Sequence, residues 1–195
     1  ADAVRFTTLS IAPLGGRIRM DKSDFEMGAR FINKLWNASR FILKYTDSDI
    51  TLKALKNVDL NMPSKWILNE FKIITRDVNK YLETYRLNDA ANSIYHFIWG
   101  SFCDWTIECS KPVLNDSEKR DDMLSVLIYV LEGSLRLLSP MAPFVCEEIW
   151  SRLPHHPDWK REQSLVVCAY PTTDDILGFE EDALLWDMVR SLISG

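Results

Sequence analysis

The chain has 195 residues and a formal net charge of −5, with 47% hydrophobic and 26% charged residues. This length suits one domain with a sizeable core, and the composition is that of a globular protein, not of a disordered segment. The acidic total excludes a uniformly basic nucleic-acid-binding protein, but it allows basic residues to be concentrated in one place. No apolar run approaches the ~20 residues that a membrane-spanning helix needs. We therefore expect a cytoplasmic protein with no membrane partner.

Hydrophobic periodicity predicts four long amphipathic helices. Apolar residues recur at three- and four-residue steps over residues 24–45, and a second helix begins at Pro63 and ends near Arg86. The third helix, over residues 88–112, has apolar residues around most of its circumference, which predicts a central position in the bundle. The fourth helix covers residues 117–139.

The C-terminal part of the chain has a different pattern. Pro140 and Pro143 mark a break before a short helix, and residues 154–175 contain a strand-like run, SLVVCAY, between turn-forming segments. A last amphipathic segment, FEEDALLWDMVRSLI, closes the chain. The predicted fold class is all-α, with four to five long helices in residues 1–153 and a small irregular piece with a C-terminal helix in residues 154–195.

Residues 17–44 carry seven basic residues against three acidic ones, so this segment has a net charge of +4 within an acidic chain. On a helical wheel, Phe25, Ile32, Trp36 and Leu43 occupy one side, which we assign to packing. Phe31 lies at the border, and the opposite side gathers basic, amide and aromatic residues: Arg30, Asn33, Lys34, Asn37, Arg40, Phe41 and Lys44.

Two interpretations of this polar side stay open. Charge stripes on helices are usually solvated surfaces. However, asparagine is a poor residue for a helix interior, and two asparagines four residues apart suggest a use for their amide groups. A phenylalanine beside arginines could also stack on an unpaired base while the cations contact phosphates.

The chain contains no recognisable catalytic or cofactor motif: it has neither a GxGxxG nor a P-loop pattern, and neither HExxH nor GxSxG. His155 and His156 lie in a proline-bounded loop without the spacing of metal ligands. No pair of cysteines has CxxC spacing, so we expect reduced thiols and no metal site; the cysteines are Cys103, Cys109, Cys146 and Cys168. The residues thus give no indication of catalysis.

Five segments together resemble the anticodon-binding region of class I valyl-tRNA synthetases: ADAVRF, GRIRMD, GARFINKLWNASRF, FCDWTIECSKP and SPMAPFVCEEIW. The similarity covers nearly the whole chain in order. It implies that residues 1–15 connect the bundle to a catalytic domain of the same polypeptide. It also implies that the whole enzyme joins valine to its tRNA with ATP and Mg, whereas this fragment holds no cofactor and binds valine tRNAs.

The resemblance places contacts to the anticodon loop at residues of the basic segment. We expect Phe31 to stack on a base, Asn33 or Asn37 to pair with adenine, and the cations to neutralise phosphates. The predicted tRNA-binding residues are Arg17, Arg19, Arg30, Phe31, Asn33, Lys34, Asn37 and Arg40. The alternatives are a helical protein-interaction module and the same domain from an isoleucyl- or leucyl-tRNA synthetase.

Overall fold

A computed structural model describes residues 1–12, 19–46, 50–160, 162–174 and 176–194. Within these ranges the chain is helical and contains no strand, which confirms the all-α fold class. The helices, in chain order, are α1 (Asp2–Ile11), α2 (Lys22–Leu43), α3 (Met62–Glu83), α4 (Leu87–His96), α5 (Glu108–Leu114), α6 (Arg120–Leu138), α7 (Pro143–Arg152) and α8 (Glu180–Ser194).

The third predicted helix exists, but its middle is wider than an α-helix. Residues Phe97–Ile107 form a π-helical segment that joins α4 to α5 without a break. Thr106 Oγ1 donates a hydrogen bond of 2.9 Å to the carbonyl of Ser101, five residues earlier. The helix also continues past Pro112 to Leu114, so the end predicted at Pro112 is two residues early.

The third predicted helix is flanked on several sides, because its α4, π-helical and α5 segments together contact α1, α2, α3 and α6. Helix α6 is nevertheless the more enclosed of the two. Almost every residue from Met123 to Leu138 is buried, because α6 contacts α2, α3, α4, α5 and α7. In contrast, His96, Asp104 and Glu108 on the third helix are exposed. An apolar pattern around most of a helix predicts neighbours on several sides, but it does not show whether the helix is partly or fully buried.

The α1 segment belongs to the packed bundle. The Phe6 ring is fully buried, with its centroid 4.6 Å from that of Phe31 on α2 and 6.4 Å from that of Tyr95 on α4. Thr7 contacts the start of α2 through a 3.4 Å hydrogen bond to the carbonyl of Asp24, and Asn92 on α4 donates to the carbonyl of Ser10 at 3.1 Å. Helix α1 therefore lies between α2 and α4 and is antiparallel to both.

The C-terminal piece covers α6 and α3. The predicted strand is wrong: Leu165–Val167 form a short 3-10 turn instead. Helix α8 packs on α3, where Trp66 Nε1 donates to Asp187 at 3.1 Å and the Arg190 guanidinium lies over the rings of Trp66 and Trp105. The outer side of α8 is apolar and exposed, with Leu184, Leu185, Met188, Val189, Leu192 and Ile193.

No helix in the described parts of the chain is both long enough and apolar enough to cross a membrane.

Candidate nucleic-acid interface

Helix α2 begins at a capping box. Asp21 Oδ1 accepts hydrogen bonds from the backbone amides of Ser23 at 2.8 Å and Asp24 at 3.3 Å, and Asp24 Oδ2 accepts from the Asp21 amide at 2.9 Å. This arrangement satisfies amide groups that would otherwise lack partners at the helix start. Hydrogen bonds from the Ser23 side chain and from the two amides lower the pKa of Asp21, so the cap stays charged and oriented.

The buried side of α2 faces α1 and the core, and it is centred on Phe31, Leu35 and Ile42. Gly28 allows α1 to come close, because a Cβ at this position would lie 2.2 Å from Thr7 Oγ1 and 2.8 Å from the Ala3 carbonyl oxygen. The side chains predicted to form the core stripe, Phe25, Ile32, Trp36 and Leu43, are only partly buried. The packed face is therefore rotated by about one residue position, ~100°, from the predicted one.

Phe31 is 0% exposed, and the assignment of this residue to base stacking is wrong. Its ring lies between Phe6 and Tyr95, with centroid distances of 4.6 Å and 5.1 Å. A ring without an open face cannot stack on a base, and this one supports the α1–α2–α4 contact instead. Its position at the border of the wheel gave no indication of which neighbouring helix would cover it.

The outer face of α2 consists of Arg30, Asn33, Asn37, Arg40 and Lys44, all of which are exposed. Arg30, Asn33, Asn37 and Arg40 make no side-chain hydrogen bond or ion pair within the described residues. Their donors and acceptors are thus directed to solvent along about three turns of one helix. Such a surface can contact phosphates through its cations and polar base edges through its amides.

Lys34 differs from its neighbours on α2. Its ammonium group pairs with Asp104, 70 residues later, and lies 4.0 Å from the centroid of the Trp99 ring. The Lys34 side chain is 25% exposed. Sequence reasoning missed Asp104 and Trp99 as partners, because no local pattern connects residues on separate helices. Lys34 is therefore held against the π-helical segment, and its ammonium group already has a carboxylate partner.

The remaining predicted residues lie before α2. Arg19 is exposed and precedes the Asp21 cap by two residues, so it sits at the end of the bundle where α2 begins. Arg17 lies outside the described residues. Trp36 is partly buried, and the Arg152 guanidinium of α7 lies 5.5 Å from its ring centroid, which fits the packing role that we assigned to it.

The two buried thiols of the bundle are not activated nucleophiles. Burial raises the pKa of Cys103 to about 12, with Lys34 acting in the opposite direction. Burial also raises the pKa of Cys146 well above its ordinary value. Among the described residues, no three His, Cys, Asp or Glu side chains lie close enough together to hold a metal ion.

Comparison with known proteins identifies the family. Residues 64–194 match the family described as the anticodon-binding domain of tRNA ligase. A valine–tRNA ligase from Pseudothermotoga lettingae is 39% identical over 194 residues, which cover all of this chain and 22% of that protein. The valine–tRNA ligase of Treponema pallidum is 43% identical over 155 residues, which cover 78% of this chain and 16% of that protein.

A solved structure shares the fold. The chain is similar to a protein chain in the crystal structure of the LeuRS–tRNA–LeuAMS ternary complex from Agrobacterium radiobacter K84, with a TM-score of 0.63 and 16% identity. The similarity covers 93% of this chain and 20% of that chain. This chain spans about a fifth of the length of the curated relatives that it matches. Because residues 64–194 match this family over more than half of the chain, the chain belongs to the anticodon-binding domain family of tRNA ligases.

Proposed function

We propose that this chain is the anticodon-binding part of a valine–tRNA ligase and that the outer face of α2 contacts the anticodon loop. The observation that carries the proposal is the set of exposed, unpaired groups of Arg30, Asn33, Asn37 and Arg40 on one helix face. The matched family region begins at residue 64, after α2, so the role of this face rests on its own geometry.

Each side chain has a role that its chemistry allows. Arg30 and Arg40 neutralise phosphates, which makes the affinity sensitive to salt but gives little sequence preference. Asn33 and Asn37 present an amide oxygen and an amide nitrogen side by side, and this pair of groups matches the acceptor and donor edge of adenine. The α2 cations supply affinity, and the amides supply discrimination between bases.

The amino acid that the whole enzyme would join to tRNA is inferred from the relatives. Similarity over 98–100% of this chain, at 35–39% identity, to valine–tRNA ligases supports valine over isoleucine or leucine. In the whole enzyme, a catalytic domain elsewhere in the polypeptide would use ATP and Mg in the cytoplasm. The fragment itself contributes RNA binding and no catalytic group.

The test measures binding of the 195-residue chain to a valine tRNA and to the same tRNA with its anticodon changed, over a series of salt concentrations. We expect weaker binding to the altered tRNA and an affinity that falls steeply with salt. Affinity independent of salt, or equal for both tRNAs, would contradict the proposal. Equal retention of unrelated polyanions would instead favour the protein-interaction module, whose basic face meets an acidic partner.

Two alanine variants locate the contact. Asn33→Ala and Asn37→Ala should each reduce the preference for the unaltered anticodon, and a lost bidentate base contact corresponds to roughly 1–3 kcal/mol. Neither should lower stability, because alanine is the better helix former at an exposed position. Asn57→Ala is the matched control, since Asn57 is also an exposed asparagine but lies in the segment between α2 and α3.

A further inference from the structure

Tyr85 occupies a backbone conformation that does not suit its side chain. It has φ 58°, in the left-handed region, and it is the non-glycine residue with positive φ among the described residues. The Arg86 amide donates to the Tyr81 carbonyl at 2.8 Å and the Tyr85 amide donates to the Leu82 carbonyl at 3.1 Å. These two bonds form the Schellman motif that ends α3, and they place Tyr85 where glycine is usual.

The ring of Tyr85 receives no compensation from packing. It is 78% exposed, whereas the Phe6, Phe31 and Phe71 rings are buried in the core. A tyrosine in the left-handed region is less favourable than glycine, and a ring this exposed recovers little of that cost by burial. Neither the backbone conformation nor core packing explains why an aromatic residue stands here. We therefore look for a binding partner that contacts the ring.

The antiparallel packing places Tyr85 at the same end of the bundle as the start of α2. Ser10, near the end of α1, contacts Asn92 of α4, and Thr7 contacts Asp24 of α2. Leu87, the first residue of α4, is five residues before Asn92 and so lies about 7.5 Å further toward this end. Tyr85 and Arg19 therefore share the end from which the outer face of α2 extends.

The surroundings of Tyr85 distinguish an RNA base from a protein partner. Glu83, Thr84 and Arg86 beside it are exposed and polar, and Leu87, the exposed large apolar residue nearest to it in sequence, is only 42% exposed. Protein-binding sites need a contiguous apolar area, and in the described residues α8 presents such an area, near Lys65 and Trp66 at the other end of α3. A single open ring amid polar groups suits one stacked base.

We infer that Tyr85 stacks on an unpaired base of the RNA bound by the outer face of α2, the role that buried Phe31 cannot fill. This inference rests on the proposed function. Arg86 does not act with it as a free cation, because its guanidinium pairs with Asp89 at 2.7 Å and lies over the Tyr81 ring. The sequence signal was TYRLND, a helix end followed by a capping segment, with tyrosine in place of the expected glycine.

The test uses Tyr85→Gly and Tyr85→Phe in the 195-residue chain. Glycine suits the left-handed backbone, so Tyr85→Gly should keep or raise the melting temperature while weakening RNA binding about tenfold, the loss expected for one stacked base. Tyr85→Phe keeps the ring and should bind like the unaltered chain. The RNA is an anticodon stem-loop that carries 2-aminopurine at one unpaired position at a time, whose fluorescence falls when the base stacks.

We expect quenching at one loop position with the unaltered chain and with Tyr85→Phe, and its loss with Tyr85→Gly. If Tyr85→Gly binds and quenches like the unaltered chain, the inference is wrong. Asn33→Ala and a double Arg30→Gln, Arg40→Gln variant are measured in parallel. They distinguish a failure of the inference about Tyr85 from a failure of the proposed function. When those variants lose affinity and Tyr85→Gly does not, only the role of Tyr85 is overturned; when none of them changes binding, the proposed function fails as well.

Discussion

Helices α2 and α6 have similar lengths but opposite relations to the rest of the molecule. Helix α6 is enclosed by five other helices, and its one partly exposed residue between Met123 and Leu138 is Arg136. Helix α2 is also packed, but on its outer face Arg30, Asn33, Asn37 and Arg40 are exposed and make no side-chain hydrogen bond or ion pair within the described residues. Polar side chains on the enclosed part of α6 therefore have structural partners, whereas those on the outer face of α2 remain available to a ligand. The comparison supports the proposal that RNA binds to the outer face of α2.

The largest expected effect concerns the packed side of α2. Phe31→Ala should cost roughly 3–5 kcal/mol of unfolding free energy, because it removes a fully buried ring and leaves a cavity between α1 and α4. Thermal or chemical denaturation measures this loss. Phe41→Ala is the control, since Phe41 is only partly buried on the same helix. An unchanged stability for Phe31→Ala would mean that the ring is not part of the core.

Arg136→Gln tests whether the charge on α6 is structural. Arg136 Nε donates to Glu132 Oε2 at 3.0 Å, and Glu132 also accepts from Trp150 Nε1 at 3.1 Å. Burial raises the pKa of Glu132, while Arg136 and Trp150 act in the opposite direction. Loss of the charged partner should cost about 1.5–3 kcal/mol, measured by denaturation near neutral pH. The cost should shrink at acidic pH, where Glu132 becomes neutral.

Arg30→Gln, made alone and together with Arg40→Gln, tests the outer face of α2. Each substitution should change stability by less than about 0.5 kcal/mol, because neither guanidinium has a partner in the described chain. Each lost phosphate contact should lower the slope of log affinity against log salt by about 0.7–0.9. Arg76→Gln on α3 is the control cation, and an equal change in slope there would remove the special role of α2.

The smallest expected effect is a pH dependence in the segment that covers α6. His156 is buried, its Nδ1 accepts a hydrogen bond from the Asp158 amide at 3.1 Å, and its ring packs between Tyr129 and Trp159. Burial lowers the pKa of His156 below 6.5, and Asp158 opposes this shift. The unfolded chain then binds the proton more readily, so stability is complete above the unfolded pKa and falls as the pH drops below about 6.5.

His156→Asn keeps a side-chain acceptor two residues before the Asp158 amide but removes the titration. Its melting temperature should therefore decline less than that of the unaltered chain between about pH 7.5 and pH 5.5. Parallel declines in the two proteins would show that carboxylates, and not His156, control this range.

The sequence alone determined the all-α class, the approximate bounds of four long helices and the basic character of the segment before and along α2. These features are local: apolar spacing, caps and prolines act within a few residues. The outer face of α2 was also predictable, since Arg30, Asn33, Asn37, Arg40 and Lys44 fall together on a wheel.

Only the tertiary structure decided which side of α2 is packed, because the choice depends on how closely α1 approaches at Gly28. The same holds for Phe31, whose neighbours Phe6 and Tyr95 come from distant positions, and for Lys34, whose charge is met by Asp104. The exposure of Tyr85 likewise depends on how α3 ends and on what α4 leaves uncovered. The spacing of apolar residues predicts where a helix forms. Which of its side chains become buried depends on the helices that pack against it, and these come from distant parts of the chain.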